Sequence, residues 1–403
     1  MTLLTDEQKT GLLSSQQTTG VARHARIRLQ ILMRNHRYSP IVITVVLGSL
    51  ISSLVACGGG SYSGGGNNNN PPPSNATLAQ NAAKHSLKVG AAADSPYLSD
   101  TSYSATLGSQ YNELTAENEM KFASVAPTSP TENYTGADAL VSFAQAHQMA
   151  VRGHTLVWYQ QVPAWVSPTD TPAQLNTILQ NHITDEMTHF AGKVYAWDVV
   201  NEAFNDDGSG STPATLRSTI WYDNPGIGFA GMGTAYIEQS LNWAHAADST
   251  AKLFYNDYNI ETQNPKSDAV YLMAQDFTNR GVPLNGIGFQ FHVDLSFDNP
   301  NVLASVTSNF QRFAALGLEI HITELDIRLS DSSAASFAAQ AKLYGELAAI
   351  CLQQPKCTTF QTWGFTDKYS WIPGFFTGMG WALPWDANYQ KKPAYTSLLT
   401  AFQ

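Results

Sequence analysis

Basic residues are scarce in this sequence, which has 22 Lys and Arg against 32 Asp and Glu and a formal charge of −10. Six of the basic and two of the acidic residues fall in the first 56 positions, leaving 16 basic against 30 acidic side chains in the rest. Such a chain lacks the clustered Lys and Arg that neutralise phosphates, which argues against a nucleic-acid partner. No glycine-rich phosphate loop supports a dinucleotide-binding open sheet, and the HExxH pattern is absent. None of the ten histidines forms a metal-ligand motif with a partner at fixed spacing, so neither a metal nor a cofactor is predicted. No repeat of about 20–50 residues is visible, as a solenoid or propeller would require. Cysteine is rare as well, with three in 403 residues.

Apolar residues, by contrast, are plentiful: 43% of the chain is hydrophobic and 11% aromatic, enough for a sizeable core. At the N-terminus Arg34 and Arg37 precede the apolar run IVITVVLGSLISSLVA, residues 41–56, which stops at Cys57. A basic head, an apolar stretch and small residues before a cysteine resemble a bacterial lipoprotein signal, with cleavage before Cys57 and acylation of its thiol. Ordinary secretory cleavage nearby and an uncleaved anchor are the alternatives. Residues 1–32 are long for such a signal, and Met33 is a second candidate start. The stretch GGGSYSGGGNNNNPPPSN, residues 58–75, reads as a tether, flexible in its Gly and Asn and stiffened by three prolines. The expected organisation is a signal segment over 1–56, a linker over 57–79 and one catalytic domain over 80–403. Cys351 and Cys357 remain, and in a chain that leaves the cytoplasm they favour a disulfide. No His or further Cys lies near them in sequence to make a metal site.

From about residue 80 the chain alternates. Strand-like segments occur at 87–93, 111–118, 150–158, 194–203, 252–259, 286–293, 319–327 and 359–367. Between most of them the apolar spacing is helical, as in 138–147 and 336–352, and a last helix candidate, AYTSLLTAF, closes the chain. Eight β units separated by helices predict an α/β fold, a (β/α)8 TIM barrel with loop insertions, ahead of a doubly wound open sheet. All but the first of these segments turn polar towards the C-terminal end: Glu117 and Asn118, His154, Asn201 and Glu202, Asn256 and Asp257, Gln290 and His292, Glu324 and Asp326, Asp367. In a parallel barrel those ends share one rim, where active sites are built.

Glu202 and Glu324 are 122 positions apart, yet such a barrel brings them to facing sides of one pocket. Two carboxyl groups across a cleft suit glycosidic-bond hydrolysis, in which one donates a proton and the other stays ionised to attack the sugar. Asp326 points to the same side of a strand as Glu324, and His292 ends the preceding unit. A Glu324–His292–Asp326 chain is expected to hold the nucleophile ionised and fixed. Apolar and aromatic sequence neighbours suit Glu202 to the proton-donating role. Trp363, Trp371, Trp381 and Trp385 fall within 23 residues. Flat rings pack on the C–H faces of sugars, and the Gly- and Pro-containing loop that carries these rings is expected to face sugar.

At these residues the sequence resembles glycoside hydrolase family 10, the (β/α)8 endo-β-1,4-xylanases. Six ordered motifs carry the resemblance: TAENEMK (115–121), GHTLVW (153–158), WDVVNEA (197–203), GFQFH (288–292), HITELD (321–326) and WGFTDKYSW (363–371). The resemblance implies Glu202 as acid/base and Glu324 as nucleophile of a retaining mechanism, with carboxyl groups about 5–5.5 Å apart. It further implies that Asn201 binds the 2-hydroxyl of the sugar nearest the scissile bond, and that His154, Gln290 and Trp158 contact that sugar. Glu117, Asn118 and Lys121 would contact sugars on the non-reducing side, Trp363 and Trp371 would wall the cleft, and His292 and Asp326 would support the nucleophile. The Cys351–Cys357 pair matches a disulfide of some members. Tyr159, Ile372 and Phe122 depart from the family, standing where His, Arg and Trp are common. The implied partner is xylan or a xylo-oligosaccharide, bound by a monomer that is secreted or anchored by lipid at a bacterial cell surface.

Overall fold

The computed structural model describes residues 76–403. The predicted signal segment, Met33, Cys57 and the tether up to residue 75 lie outside the described residues. Within them the strands are β1 (Lys88–Ala93), β2 (Glu113–Ala116), β3 (Ala150–Val157), β4 (Ala196–Asn201), β5 (Lys252–Asp257), β6 (Gly286–Phe289), β7 (His292–Asp294), β8 (Glu319–Arg328) and β9 (Cys357–Thr362). Every pairing between them is parallel. The order is β6-β5-β4-β3-β2-β1-β9-β8, and a β6–β8 pairing closes it into an eight-stranded ring. This is the predicted (β/α)8 barrel.

The helices start where the sequence supplies a first-turn proline behind a polar cap. Pro172, Pro265 and Pro300 each follow such a cap, Thr171, Asn264 and Asn299. Proline costs nothing there because its missing N–H has no partner inside the first turn, and the cap oxygen accepts a neighbouring orphan N–H. The helix Pro265–Arg280 stops at Gly281, whose φ of 73° reverses the chain. The predicted helices 138–147 and 336–352 lie within, or one residue beyond, Thr135–Ala146 and Ala334–Gln353, and the last one corresponds to Pro393–Ala401. The disulfide between Cys351 and Cys357, 2.05 Å, joins the end of the helix Ala334–Gln353 to the first residue of β9.

Two boundaries differ from expectation. A helix, Leu78–Ala83, begins inside the span assigned to the linker, because Thr77 and Gln80 form a capping box that satisfies both ends of the first turn. The segment 286–293 is also broken in two. Phe291 has a φ of 62°, and its N–H leaves the sheet for the Glu261 carboxylate at 3.0 Å. The chain then resumes as β7, which pairs only with the far end of β8, His292 opposite Asp326.

Barrel interiors are commonly filled by branched aliphatic side chains, but this one is polar. Arg152 makes a bidentate pair with Asp198 and donates Nε–H to His321 Nδ1 at 3.3 Å. That acceptor role needs a neutral imidazole, and burial next to Arg152 pushes the His321 pKa down to about 4. Further along, Thr115 donates to Gln361 Oε1 at 2.9 Å, Gln361 donates to the Thr323 carbonyl at 2.7 Å, and Thr323 donates to Asn256 Oδ1 at 2.7 Å. Gly288 makes room for this column, since a Cβ there would lie 2.2 Å from Asn256 Oδ1. Each buried polar atom in the column finds a partner, which offsets the cost of removing it from water. The column ends at the rim formed by the C-terminal ends of the strands.

Candidate active site

Asn256, at that end, ties two strands together. Its Nδ2 donates to Asn201 Oδ1 at 2.9 Å and to Glu324 Oε1 at 2.7 Å. Asn201 Nδ2 reaches Glu202 Oε1 at 3.1 Å, and Gln290 Nε2 bonds Glu202 Oε1 at 3.0 Å and Asn201 Oδ1 at 3.2 Å. Glu202 and Glu324 therefore belong to one hydrogen-bonded cluster of side chains from β4, β5, β8 and the link after β6. Both are nearly buried, 7% and 4% exposed.

Their surroundings differ. Glu324 Oε2 faces His292 Nε2 at 3.1 Å, and His292 Nδ1 faces Asp326 Oδ2 at 2.8 Å. Trp371 Nε1 donates to the same Asp326 oxygen at 2.8 Å, so this ring fixes the last carboxylate of the chain. Burial alone would raise the Glu324 pKa, but the His292 hydrogen bond and the His154 and His292 imidazoles outweigh it and hold the carboxyl below its ordinary range. For His292, burial opposes the cation, and Asp326 and Glu324 reverse that effect and push its pKa up to about 10. His154 sits on Asp198 Oδ2 at 2.9 Å and 4.0 Å from Glu324 Oε1, so the buried Arg152–Asp198 pair orients it.

Beside the apolar and aromatic neighbours that the sequence gives it, Glu202 has polar partners. Trp158 Nε1 donates to its Oε2 at 2.9 Å, and two amides reach Oε1. The aromatic ring contributes a polar contact that composition does not reveal. Glu202 also has a φ of 59°, a conformation costing about 1–3 kcal/mol outside glycine.

Further predicted residues are in contact with this cluster. Lys121 bonds Asn118 Oδ1 at 3.1 Å and lies over the rings of Trp158 and Trp363, 5.2 and 5.7 Å from their centroids. Burial lowers the Lys121 pKa, with Glu324 and Glu117 pulling it back. Burial and then Asp94 push Glu117 up to about 8. Trp363 stands edge-on to His154 and His292, at 5.2 and 6.4 Å. Trp385 is core, packed on Tyr395 at 4.8 Å, whereas Trp381 is exposed.

The departures have packing explanations. Phe122 stacks on His182 at 3.7 Å, Tyr159 lies under the Arg217 guanidinium at 4.3 Å, and Ile372 is buried with Ala382 and Leu383. Three contributors were not singled out from sequence: Asn256, which was visible as the polar end of its segment, and Asp198 and Arg217. Arg217 comes from the long loop after β4 and donates Nε–H to the Glu202 carbonyl at 3.2 Å.

A parallel barrel with two carboxyl groups joined by amides at its rim has the fold and equipment of a glycoside hydrolase. The chain belongs to glycosyl hydrolase family 10, whose model matches residues 77–401. Endo-1,4-beta-xylanase C of Phanerodontia chrysosporium is 40% identical over 331 residues, covering 81% of this chain and 78% of the relative. Endo-1,4-beta-xylanase B of Thermotoga neapolitana is 43% identical over 292 residues, covering 72% and 80%. The crystal structure of xylanase 10B from Thermotoga petrophila in complex with xylobiose superposes with a TM-score of 0.75 at 40% identity, covering 81% of this chain and 97% of that one.

Proposed function

We propose that this protein is a retaining endo-1,4-β-xylanase, in which Glu202 is the acid/base and Glu324 the nucleophile. One observation carries the reading: the two carboxyl groups share the Asn201–Asn256–Gln290 amide cluster while their other partners differ. Glu324, kept ionised by His292, attacks the anomeric carbon as Glu202 gives its proton to the leaving oxygen. Glu202, now a carboxylate, then takes a proton from the water that releases the sugar. Asn201 meets the 2-hydroxyl of the sugar at the reacting centre, His154, Gln290 and Trp158 meet its other groups, and Glu117, Asn118 and Lys121 contact sugars on the non-reducing side. The Trp363 and Trp371 faces pack on the sugar rings. His292 and Asp326 keep the nucleophile oriented.

Turnover on xylan is expected to exceed that on carboxymethylcellulose, since xylose lacks the hydroxymethyl arm of glucose. Equal or greater turnover of cellulose would replace the substrate assignment by a β-1,4-glucanase. The first product should carry the β configuration by NMR, and an α anomer would reject the retaining mechanism. The protein is secreted and tethered by acylated Cys57, a reading supported by the apolar run before that residue and by a disulfide suited to an oxidising compartment. Mass spectrometry of the mature N-terminus tests this, with an unmodified Cys57 excluding the tether. No described helix is long and apolar enough to cross a membrane.

A further inference from the structure

Glu202 leaves β4 in a left-handed turn, so the aim of its side chain depends on how the adjoining peptides are held. The Glu202 N–H donates to the Asn256 carbonyl at 2.9 Å, and Arg217 grips the Glu202 carbonyl at 3.2 Å. The next peptide is held differently: Ala203 N–H donates to the phenol oxygen of Tyr255 at 2.9 Å. Tyr255 donates its one hydroxyl hydrogen to Asp257 Oδ2 at 2.5 Å, and Lys266 Nζ pairs with Asp257 Oδ1 at 2.9 Å. Tyr255 is 1% exposed and Asp257 is fully buried. Their hydrogen bonds run to the Ala203 peptide and to Lys266 rather than to the Glu202 carboxyl.

The direction of these bonds matters. A phenol has one hydrogen, and with Asp257 accepting it the oxygen is fixed as an acceptor towards Ala203. Lys266 favours the ionised Asp257, which can only accept. Burial pushes Asp257 up to about 7 and Lys266 opposes that rise, so the accepting carboxylate prevails above about pH 7, where the test below is run. An enclosed Asp–Lys pair is costly to desolvate. Here it sets the polarity of a hydroxyl one peptide away from the proposed proton donor.

We propose that Tyr255, oriented by Asp257 and Lys266, is a positioning residue for Glu202 that holds the left-handed turn by which this carboxyl reaches the leaving oxygen. The inference rests on Glu202 being the acid/base.

The test compares two substrates in Tyr255→Phe. Xylotriose has a poor leaving group and needs the proton, whereas 2,4-dinitrophenyl β-xylobioside expels its phenolate unaided. We expect kcat/KM on xylotriose to fall about 10–100-fold, while kcat/KM on the dinitrophenyl substrate stays within about twofold. On the latter substrate kcat and KM should fall together, because water attack also needs Glu202 and the glycosyl-enzyme accumulates. Asp257→Asn, which keeps an acceptor oxygen but loses the charge, should give a smaller effect of the same pattern. Equal losses on both substrates, as from general damage, would overturn the proposal, and so would an unchanged xylotriose rate. Glu202→Ala tests the underlying reading separately. Azide needs no base and should restore its turnover of the dinitrophenyl substrate as the glycosyl azide. If Glu202→Ala loses both substrates equally and azide does not help, the acid/base assignment fails whatever Tyr255→Phe does.

Discussion

The barrel mouth and the helix layer behind β3 each bury a glutamate beside a histidine, with opposite results. At the mouth, Glu324 accepts from Asn256 at 2.7 Å and meets His292 at 3.1 Å. Behind β3, Glu186 on the helix Pro172–His189 is fully buried, and neither of its oxygens has a hydrogen-bond partner among the described residues. His182 Nε2 lies 3.6 Å from Glu186 but bonds the Leu156 carbonyl at 3.1 Å, and His182 Nδ1 is taken by Glu132 at 2.7 Å. Burial, with the Glu132 charge adding to it, therefore pushes Glu186 well above its ordinary 4.5, whereas partners hold Glu324 below it. Desolvation has the same sign at both places, and the donors decide which carboxyl is ionised.

The largest contrast should appear in catalysis. Glu324→Gln, nearly isosteric, is expected to lower kcat on xylan by roughly four orders of magnitude or more, because no attacking carboxylate remains. Glu186→Gln should leave kcat near that of the parent. Comparable losses in both variants would mean that burial, not the donor set, governs activity.

The next largest effect concerns the donor itself. His292→Gln removes one of the two imidazoles that face Glu324, leaving burial opposed only by His154 and Asn256, so the carboxyl should rise. The acid limb of the pH–rate profile should move to higher pH, with a greater loss at about pH 5 than at about pH 7. An unmoved acid limb would show that Asn256 and His154 keep Glu324 ionised without His292.

The smallest effect is on stability. Glu324 titrates lower in the folded chain than its ordinary 4.5, so its contribution is present above that value and lost as pH falls through the folded pKa. Glu186 has the opposite sign: its folded pKa is raised, so the fold loses stability once pH exceeds the 4.5 of the unfolded chain. Glu186→Gln should thus raise stability at pH 7 by roughly 1–3 kcal/mol and change little at about pH 4. Urea unfolding at the two pH values measures this, and equal shifts at both would deny that Glu186 is held neutral.

Much of the mouth was legible in sequence because a parallel barrel gathers every strand end on one rim, so the polar tips of separate segments add up to one site. Glu202, Glu324, His292 and Asn201 could be read in this way. Asn256 carried the same signal, but its importance depends on reaching β4 and β8 together, which no segment states alone. Arg152, Asp198 and His321 sit inside the barrel, where sequence alone suggests apolar filling, and their mutual pairing is visible only in space. Arg217 arrives from a long loop without periodicity. The reversal at Phe291 was illegible for a different reason, since an aromatic residue gives no compositional hint of a left-handed backbone.

That reversal constrains what can be grafted onto this scaffold. Gln290 precedes it and serves Glu202, while His292 follows it and serves Glu324. Adding or deleting one residue between Phe289 and His292 would rotate one of these side chains away from its carboxyl and leave the other in place. Redesign that varies loop length is better confined to the exposed stretch over 230–233, beyond Ala203 and Arg217, and positions 289–292 should be kept at constant spacing.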